Sequence, residues 1–296
     1  MGILPMAKSE FPRDILAGIT LATLAIPEVM GYTRIAGTPV ITGLFTILLP
    51  MALYAFFGSS RHLVVGADSA TAAVLAAGLV GLAAVGSPEY VEYAGVLALM
   101  VAGMLILARL VKLGFLADFL SRTVLVGFLA GVGVEIAIKQ IPDMLGISGQ
   151  SGGVIQEIAT DLLSITKTNV YSITISIALL VVIFGTKRIS RKIPVALFAV
   201  LAVIIVSYAL NLSSHGVPVL GPLPSGLPHI AFPSPPMSWA IIQQLSPTAA
   251  SMFVIILAQS AATSRAYADR YNEHLDENMD LVGLGLANIG AALSGT

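Results

Sequence analysis

The chain alternates long uncharged apolar stretches with short breaks that are polar or rich in glycine and proline. Each stretch approaches the roughly 20 residues that an α-helix needs to cross the hydrocarbon core of a bilayer. We therefore predict an all-α polytopic membrane protein. The pattern predicts about nine segments, at 14–34, 40–57, 69–86, 93–111, 119–138, 169–186, 193–211, 246–266 and 279–294.

Two longer connections interrupt this pattern, at 139–168 and 212–245. The second holds seven prolines between Pro218 and Pro236. Proline removes a backbone donor and clashes within a helix, so this stretch is predicted to be extended. A short interfacial helix is predicted around Trp239, because tryptophan is enriched at membrane interfaces.

The composition supports a membrane protein, with 56% hydrophobic and only 10% charged residues. The 15 Lys and Arg nearly balance the 16 Asp and Glu, so no basic excess is available for a nucleic acid, and no nucleic-acid partner is expected. The absence of cysteine excludes disulfides, thiol catalysis and cysteine-bound metals. The sequence also contains no nucleotide-binding or catalytic motif. We therefore expect secondary or passive transport rather than an enzyme, without cofactor or metal.

The distribution of Lys and Arg predicts the orientation. With the amino terminus in the cytoplasm, 12 of the 15 basic residues lie inside, and only Arg34, Lys139 and Lys167 lie outside. Cytoplasmic loops carry the excess of basic residues in membrane proteins. We therefore expect a multi-pass protein of a bacterial inner membrane with a cytoplasmic amino terminus.

Glu28 is the clearest ionisable residue within a predicted span, about 21 Å along a helix that crosses a core roughly 30 Å thick. A charge at this depth costs about 2.5–3.5 kcal/mol on insertion scales. Pro27 removes a backbone donor beside it, so we predict a broken helix. Glu28 is either a proton-titrating carboxyl beside a substrate or a structural group at a proline kink. Tyr32, one turn later, is either an interfacial anchor or an aromatic of the same pocket.

The third segment is short for a span, since Ser69 to Ala84 is 16 residues, about 24 Å of helix. Asp68 or Ser69 is the predicted N-cap, followed by small residues. An open helix amino terminus at the membrane midplane is a cradle for an anion. The alternative is a capped helix end near the cytoplasmic interface. In the segment 246–266, Gln259 and Ser260 are either a pocket wall or an interhelical hydrogen bond.

Several motifs occur in an order that resembles the sulfate permease family of anion transporters. They are Phe11–Asp14, Ala25–Tyr32, Gly43–Phe45, Phe57–Arg61, Val65–Thr71, Leu120–Phe128, Leu257–Ala268 and Leu284–Asn288. The resemblance implies two inverted repeats of seven segments, a core domain that moves against a gate domain, and an anion held between two facing half-helices. Residues 1–211 would form the first repeat, 212–245 an extracellular connection, and 246–296 the start of the second repeat.

The resemblance also implies the site residues. It places Glu28 and Tyr32 in the pocket of the first segment, Ser69, Ala70 and Thr71 at the start of the third half-helix, and Ala258, Gln259 and Ser260 on the wall of the eighth segment. Many relatives carry a carboxylate where Gln259 stands, and in sodium-coupled members that region helps to hold the cation. The resemblance therefore implies coupling to protons rather than sodium, through Glu28.

We expect a secondary active transporter of a small inorganic anion, either sulfate, bicarbonate or a related oxyanion, that works by proton symport and alternating access. The alternatives are a nucleobase or organic-anion carrier of the same fold, an anion channel, and a transport-inactive fragment or partner subunit. Family members have fourteen segments and usually a cytoplasmic anti-sigma-antagonist-like domain. We therefore expect a fragment of a longer gene product rather than a natural short protein. A homodimer is left open.

Overall fold

The computed structural model of the chain describes residues 11–113, 122–147, 164, 166, 168–189, 195–219 and 226–296. Within these ranges the regular secondary structure is entirely helical. The helices are α1 (Phe11–Ala36), α2 (Val40–Thr46), α3 (Leu49–Phe57), α4 (Ser69–Leu79), α5 (Pro88–Leu110), α6 (Arg122–Leu145), α7 (Val170–Ile189), α8 (Val195–Ala209), α9 (Trp239–Tyr271) and α10 (Glu277–Ser294). A short 3-10 turn at Leu212–His215 follows α8. The all-α prediction is confirmed.

Four described helical stretches are long and apolar enough to cross a bilayer. They are Phe11–Ala36, Val40–Phe57, Pro88–Leu110 and Trp239–Tyr271. Shorter apolar helices accompany them at Ser69–Leu79, Val170–Thr186 and Leu197–Ala209. These helices support an integral multi-pass membrane protein. Four of the basic residues lie outside the described residues, namely Lys8, Lys167, Arg191 and Lys192.

The first helix, α1, continues through Pro27, so the predicted break at this residue is wrong. A proline removes a single backbone donor, and membrane helices accommodate this loss where neighbouring groups compensate. The turns before the proline keep additional bonds, since Thr20 Oγ1 donates to the Leu16 carbonyl and Thr23 Oγ1 to the Ile19 carbonyl, each at 2.8 Å. Glu28 therefore lies on a continuous helical face.

Two other predicted segments are shorter or interrupted. The segment 40–57 divides into α2 and α3, because Ile47 and Leu48 form turn bonds to residues three positions earlier. The segment 69–86 ends at Leu79 as α4. The apolar run continues beyond Leu79, but Gly81 adopts a φ of +80°, a left-handed conformation that ends helices.

The helix α9 begins at Trp239, so the separate interfacial helix predicted there is wrong, and so is the start at residue 246. Ser238 is the N-cap, and its Oγ accepts a hydrogen bond from the Ile241 N–H at 3.3 Å. Pro247 interrupts the apolar run of the sequence but lies inside the helix. The stretch 226–238 before it is not helical, as its prolines predict.

The chain forms two compact units. Among the described residues, the first comprises those within Ala25–Leu129 and Pro224–Thr296. Its core is centred on α5, where Tyr90, Leu97 and Leu105 are fully buried together with Leu245 of α9. The backbone of α10 comes close to the residues after α3. A Cβ atom at Gly283 would lie only 2.8 Å from the Gly58 Cα atom, so this approach requires glycine.

The second unit comprises Ser9–Leu24 and Ala130–Leu223. Asn169 organises its described part, because its Oδ1 caps α7 by accepting from the Tyr171 N–H at 2.9 Å. The Asn169 Nδ2 donates to the His215 carbonyl at 2.9 Å. Ser176 Oγ donates to the Met144 carbonyl at 3.1 Å, which joins α7 to α6.

Candidate functional site

A cavity of about 570 Å³ lies within the first unit. Its wall is formed by α1, α2, the start of α3, the extended stretch 62–68, the first turns of α4, and parts of α5, α9 and α10. The polar lining residues include Glu28, Tyr32, Thr42, Thr46, His62, Asp68, Thr71, Gln259, Ser260, Thr263 and Asn288. The cavity therefore collects polar groups from helices that are far apart in sequence.

Glu28 and Tyr32 form a hydrogen-bonded pair on the wall contributed by α1. Tyr32 Oη donates to Glu28 Oε1 at 2.7 Å. Residues four apart lie on the same face of a helix, and Glu28 and Tyr32 both follow Pro27 within α1. Tyr32 lines the cavity together with Glu28. The hydrogen atom of the Tyr32 hydroxyl is used in the hydrogen bond to Glu28, so this hydroxyl can only accept hydrogen bonds from other groups.

The amino terminus of α4 meets the same cavity through Asp68 and Thr71. Asp68 is the N-cap, since its Oδ2 accepts from the Thr71 N–H at 3.0 Å. The Asp68 carbonyl accepts from the Ala72 N–H at 2.9 Å and from Thr71 Oγ1 at 3.1 Å. The first N–H groups of a helix have no acceptor within the helix. Capping by Asp68 thus leaves the N–H groups of Ser69 and Ala70 open among the first four.

The predicted site residues divide into two groups. Glu28, Tyr32, Thr71, Gln259 and Ser260 line the cavity, whereas Ser69, Ala70 and Ala258 do not. The helical repeat explains the division, because Thr71 and Leu75 share the cavity face of α4 while Ser69 and Ala70 lie on other faces. Ala258 is exposed on α9, whereas the next residue, Gln259, lines the cavity.

Sequence analysis missed the threonines of the α2 wall. Thr38, Thr42 and Thr46 recur every four residues and all line the cavity. The spacing places Thr42 and Thr46 on one face of α2, and Thr38 lies just before that helix. The four-residue spacing is the signal that could have identified them. Thr42 Oγ1 donates to the Pro39 carbonyl at 2.8 Å, and Thr46 Oγ1 donates to the Gly43 carbonyl at 2.6 Å. These hydroxyls therefore present lone pairs to the cavity rather than donors.

Asn288 of α10 is a second residue that the sequence did not single out. Its Nδ2 donates to the Leu284 carbonyl at 2.9 Å, one turn earlier in the same helix. Ser260 behaves similarly, since its Oγ donates to the Ile256 carbonyl. Both side chains are thus held by their own helices while they line the cavity.

The charge balance of the cavity is negative. Among the described residues that line it, Glu28 and Asp68 are carboxylates, His62 is the sole candidate cation, and none is Lys or Arg. His62 Nε2 lies 3.3 Å from Glu273 Oε2, and its ring stacks on Tyr271 with the ring centroids 4.6 Å apart. The positive potential available to an anion therefore comes mainly from the α4 backbone.

Asp280, at the start of α10, is a buried carboxylate with an exposed fraction of 5%. Its Oδ1 accepts from Tyr54 Oη at 2.8 Å and from the N–H groups of Ser59 and Ser60 at 2.7 and 2.9 Å. Its Oδ2 accepts from Ser264 Oγ at 3.0 Å. Asp280 does not line the cavity, so we assign it a structural role in joining α3, α9 and α10.

Comparisons with known proteins agree with this architecture. The model of the sulfate permease family matches residues 11–296. A probable sulfate transporter of Mycobacterium tuberculosis is 34% identical over 281 residues, which cover 95% of this chain and 50% of that protein. The chain thus spans about half the length of the curated relatives it matches. This relative and a second mycobacterial one are both named as probable sulfate transporters.

Solved structures share the fold. The murine Solute Carrier 26 family member A9 anion transporter, in its inward-facing state, matches with a TM-score of 0.76 and 19% identity over 99% of this chain and 52% of that one. The transmembrane domain of the cyanobacterium bicarbonate transporter BicA matches with a TM-score of 0.74 and 22% identity over 98% of this chain and 74% of that one. The fold predicted from the motifs is confirmed.

Proposed function

Because the chain belongs to the sulfate permease family, we propose that it moves a small inorganic anion across a membrane by proton-coupled secondary transport. The observation that carries this proposal is the shared cavity, which brings the Glu28–Tyr32 pair together with the amino terminus of α4. The substrate class is sulfate, bicarbonate or a related oxyanion. The named functions of a mycobacterial relative and of BicA support this class.

The anion would bind at the amino terminus of α4. A helix amino terminus carries roughly half a positive charge and open N–H groups, which suit a compact oxyanion. Ser69 and Ala70 are not among the residues that line the cavity. We propose that they act through their backbone N–H groups, at the end of α4 that meets the cavity. The small side chains at 69–73 allow close approach.

Proton coupling follows from the charge of the cavity. An anion about 5 Å from an ionised carboxylate is repelled by about 3 kcal/mol at an effective dielectric constant of about 20. Protonation of Glu28 removes this repulsion. It also releases the Tyr32 hydroxyl from its bond to an ionised oxygen, so that Tyr32 can donate to the anion. Proton and anion would therefore bind together.

Gln259 supports protons rather than sodium as the coupling ion. The resemblance to the family places a carboxylate at this position in many relatives, whereas Gln259 lines the cavity with a neutral amide. A neutral amide holds a monovalent cation less strongly than a carboxylate does. Glu28 is then the better coupling group.

Several wider expectations belong to the same proposal. We interpret the first compact unit, which contains the cavity, as the core domain that works by alternating access against a gate domain. Residues 1–211 remain our first repeat, 212–245 an extracellular connection, and 246–296 the start of the second repeat. The proposal retains a bacterial inner membrane, a cytoplasmic amino terminus and the option of a homodimer.

Uptake of labelled sulfate and bicarbonate into vesicles that contain the full gene product tests the proposal. We expect accumulation when the outside is more acidic than the inside, and Glu28→Gln should abolish the accumulation. Anion current that ignores the proton gradient would instead indicate a channel. Competition by uracil but not by sulfate would indicate a nucleobase carrier. Either result would contradict the proposal.

A further inference from the structure

Asp68 is the second carboxylate of the cavity, and proton coupling through Glu28 leaves it without a role. It is partly exposed, lines the cavity, and caps α4 by accepting the Thr71 N–H at 3.0 Å. A neutral Asn or Ser would cap the helix equally well. Capping of α4 therefore requires a hydrogen-bond acceptor at position 68 but not a negative charge.

The contact between Asp68 and Thr71 resembles the one that a bound anion would make. A carboxylate oxygen of Asp68 receives a backbone N–H from the first turn of the helix, where the positive end of the dipole favours negative charge. The side chain thus occupies one donor of the α4 amino terminus. An external anion has to share this turn with a carboxylate that is already in place.

The groups around Asp68 do little to offset its charge. On α1, the facing residues of the cavity are Glu28 and Tyr32, and the charges of both carboxylates act on the Tyr32 hydroxyl. On the extended stretch before α4 the titratable group is His62, which is close to Glu273. The described lining residues of α9 and α10 carry no charge.

We infer that Asp68 is an internal competitor for the transported anion, because its carboxylate must release the Thr71 N–H before the anion binds with full affinity. This inference rests on the proposed function, because it concerns the same site. It makes Asp68 a residue that determines affinity.

The competing explanation is that Asp68 serves only as a helix cap. Asp68→Asn separates the two, because asparagine keeps an acceptor for the Thr71 N–H but carries no charge. Asp276→Asn is a matched control, since Asp276 caps α10 by accepting the Met279 N–H at 3.1 Å and does not line the cavity. Asp68→Ser is a second neutral cap for use if the asparagine variant does not fold.

The experiment measures the binding of sulfate and of bicarbonate to the detergent-solubilised full gene product by calorimetry at neutral pH. We expect Asp68→Asn to bind roughly tenfold more tightly than the wild type, which corresponds to about 1.4 kcal/mol. Asp276→Asn should follow the wild type.

Two results would overturn the inference, and they differ from each other. If the wild type binds anions and Asp68→Asn binds them with the same affinity, Asp68 is a cap alone and the proposed function stands. If the wild type, Asp68→Asn and Asp68→Ser all melt cooperatively but none binds either anion, the proposed function fails with the inference.

Discussion

Tyr54 Oη donates a hydrogen bond of 2.8 Å to Asp280 Oδ1, although the two residues are 226 positions apart in the sequence. The same carboxylate oxygen accepts the N–H groups of Ser59 and Ser60. This contact joins the end of α3 to the start of α10, at the point where the chain turns toward α4. It positions the site without touching the cavity.

Asp280→Ala should strongly reduce stability. The change leaves four buried or partly buried donors without their acceptor, and hydrogen bonds to a charged group contribute about 1.5–3 kcal/mol each. We expect a clear drop in the melting temperature of the detergent-solubilised protein. Asp269→Asn, on the exposed surface of α9, is the control and should melt like the wild type. Equal melting of Asp280→Ala and the wild type would contradict the structural role.

Gly283→Ala tests the close approach of α10 to the residues after α3. The added Cβ atom would lie 2.8 Å from the Gly58 Cα atom and 2.9 Å from the Tyr54 Cδ2 atom. Backbone cannot move aside as a flexible side chain can, so we expect destabilisation by about 1–3 kcal/mol, measured by denaturant or thermal unfolding.

The matched control for Gly283→Ala is Gly103→Ala in α5. Gly103 is exposed, and a Cβ atom there would meet nothing within 4 Å. Alanine is favoured over glycine in a helix by about 1 kcal/mol, so the control should be neutral or stabilising. Destabilisation of both variants to the same extent would argue against a specific contact at Gly283.

Tyr32→Phe removes the hydroxyl that donates to Glu28 and keeps the aromatic ring. If Tyr32 donates to the anion once Glu28 is protonated, the variant should bind sulfate about five- to tenfold more weakly, in line with about 1 kcal/mol for one hydrogen bond. Proton-driven uptake should persist, because Glu28 remains. Calorimetry measures the affinity and vesicle uptake measures the coupling. If the affinity for sulfate is unchanged, the proposal that Tyr32 donates a hydrogen bond to the anion is contradicted.

Gln259→Glu tests the proposal that the coupling ion is a proton rather than sodium. A carboxylate at this position of the cavity wall would supply a charged oxygen for a cation. We expect uptake by this variant to become stimulated by an inward sodium gradient, compared with a choline gradient. Gln259→Met, which has similar size and no charge, should not respond to sodium. A sodium response in the wild type would contradict the proposed coupling.

The features that sequence predicted well are local. The Asp68 cap is set by residues within one turn, and the Glu28–Tyr32 pair follows from the helical repeat. One proline misled the prediction, because Pro27 removes one donor without ending the helix that contains it. A pattern of apolar residues does not distinguish a proline that ends a helix from one that the helix accommodates.

The features that sequence could not predict depend on contacts between distant segments. Nothing in the residues around Asp280 indicates that Tyr54 supplies a donor, and nothing near Gly283 indicates Gly58. Thr42 and Thr46 follow a recognisable spacing, but their position on the cavity wall depends on where α2 packs. The fold was therefore more accessible from sequence than the full lining of the site.

The anchoring of Ser59 and Ser60 to Asp280 bears on the segment that leads into α4. The stretch 61–67 has no regular secondary structure. It begins directly after this anchor and continues at its other end into Asp68, the cap of α4. A change at Asp280 that releases Ser59 and Ser60 would therefore also free the segment that leads into the first turn of α4.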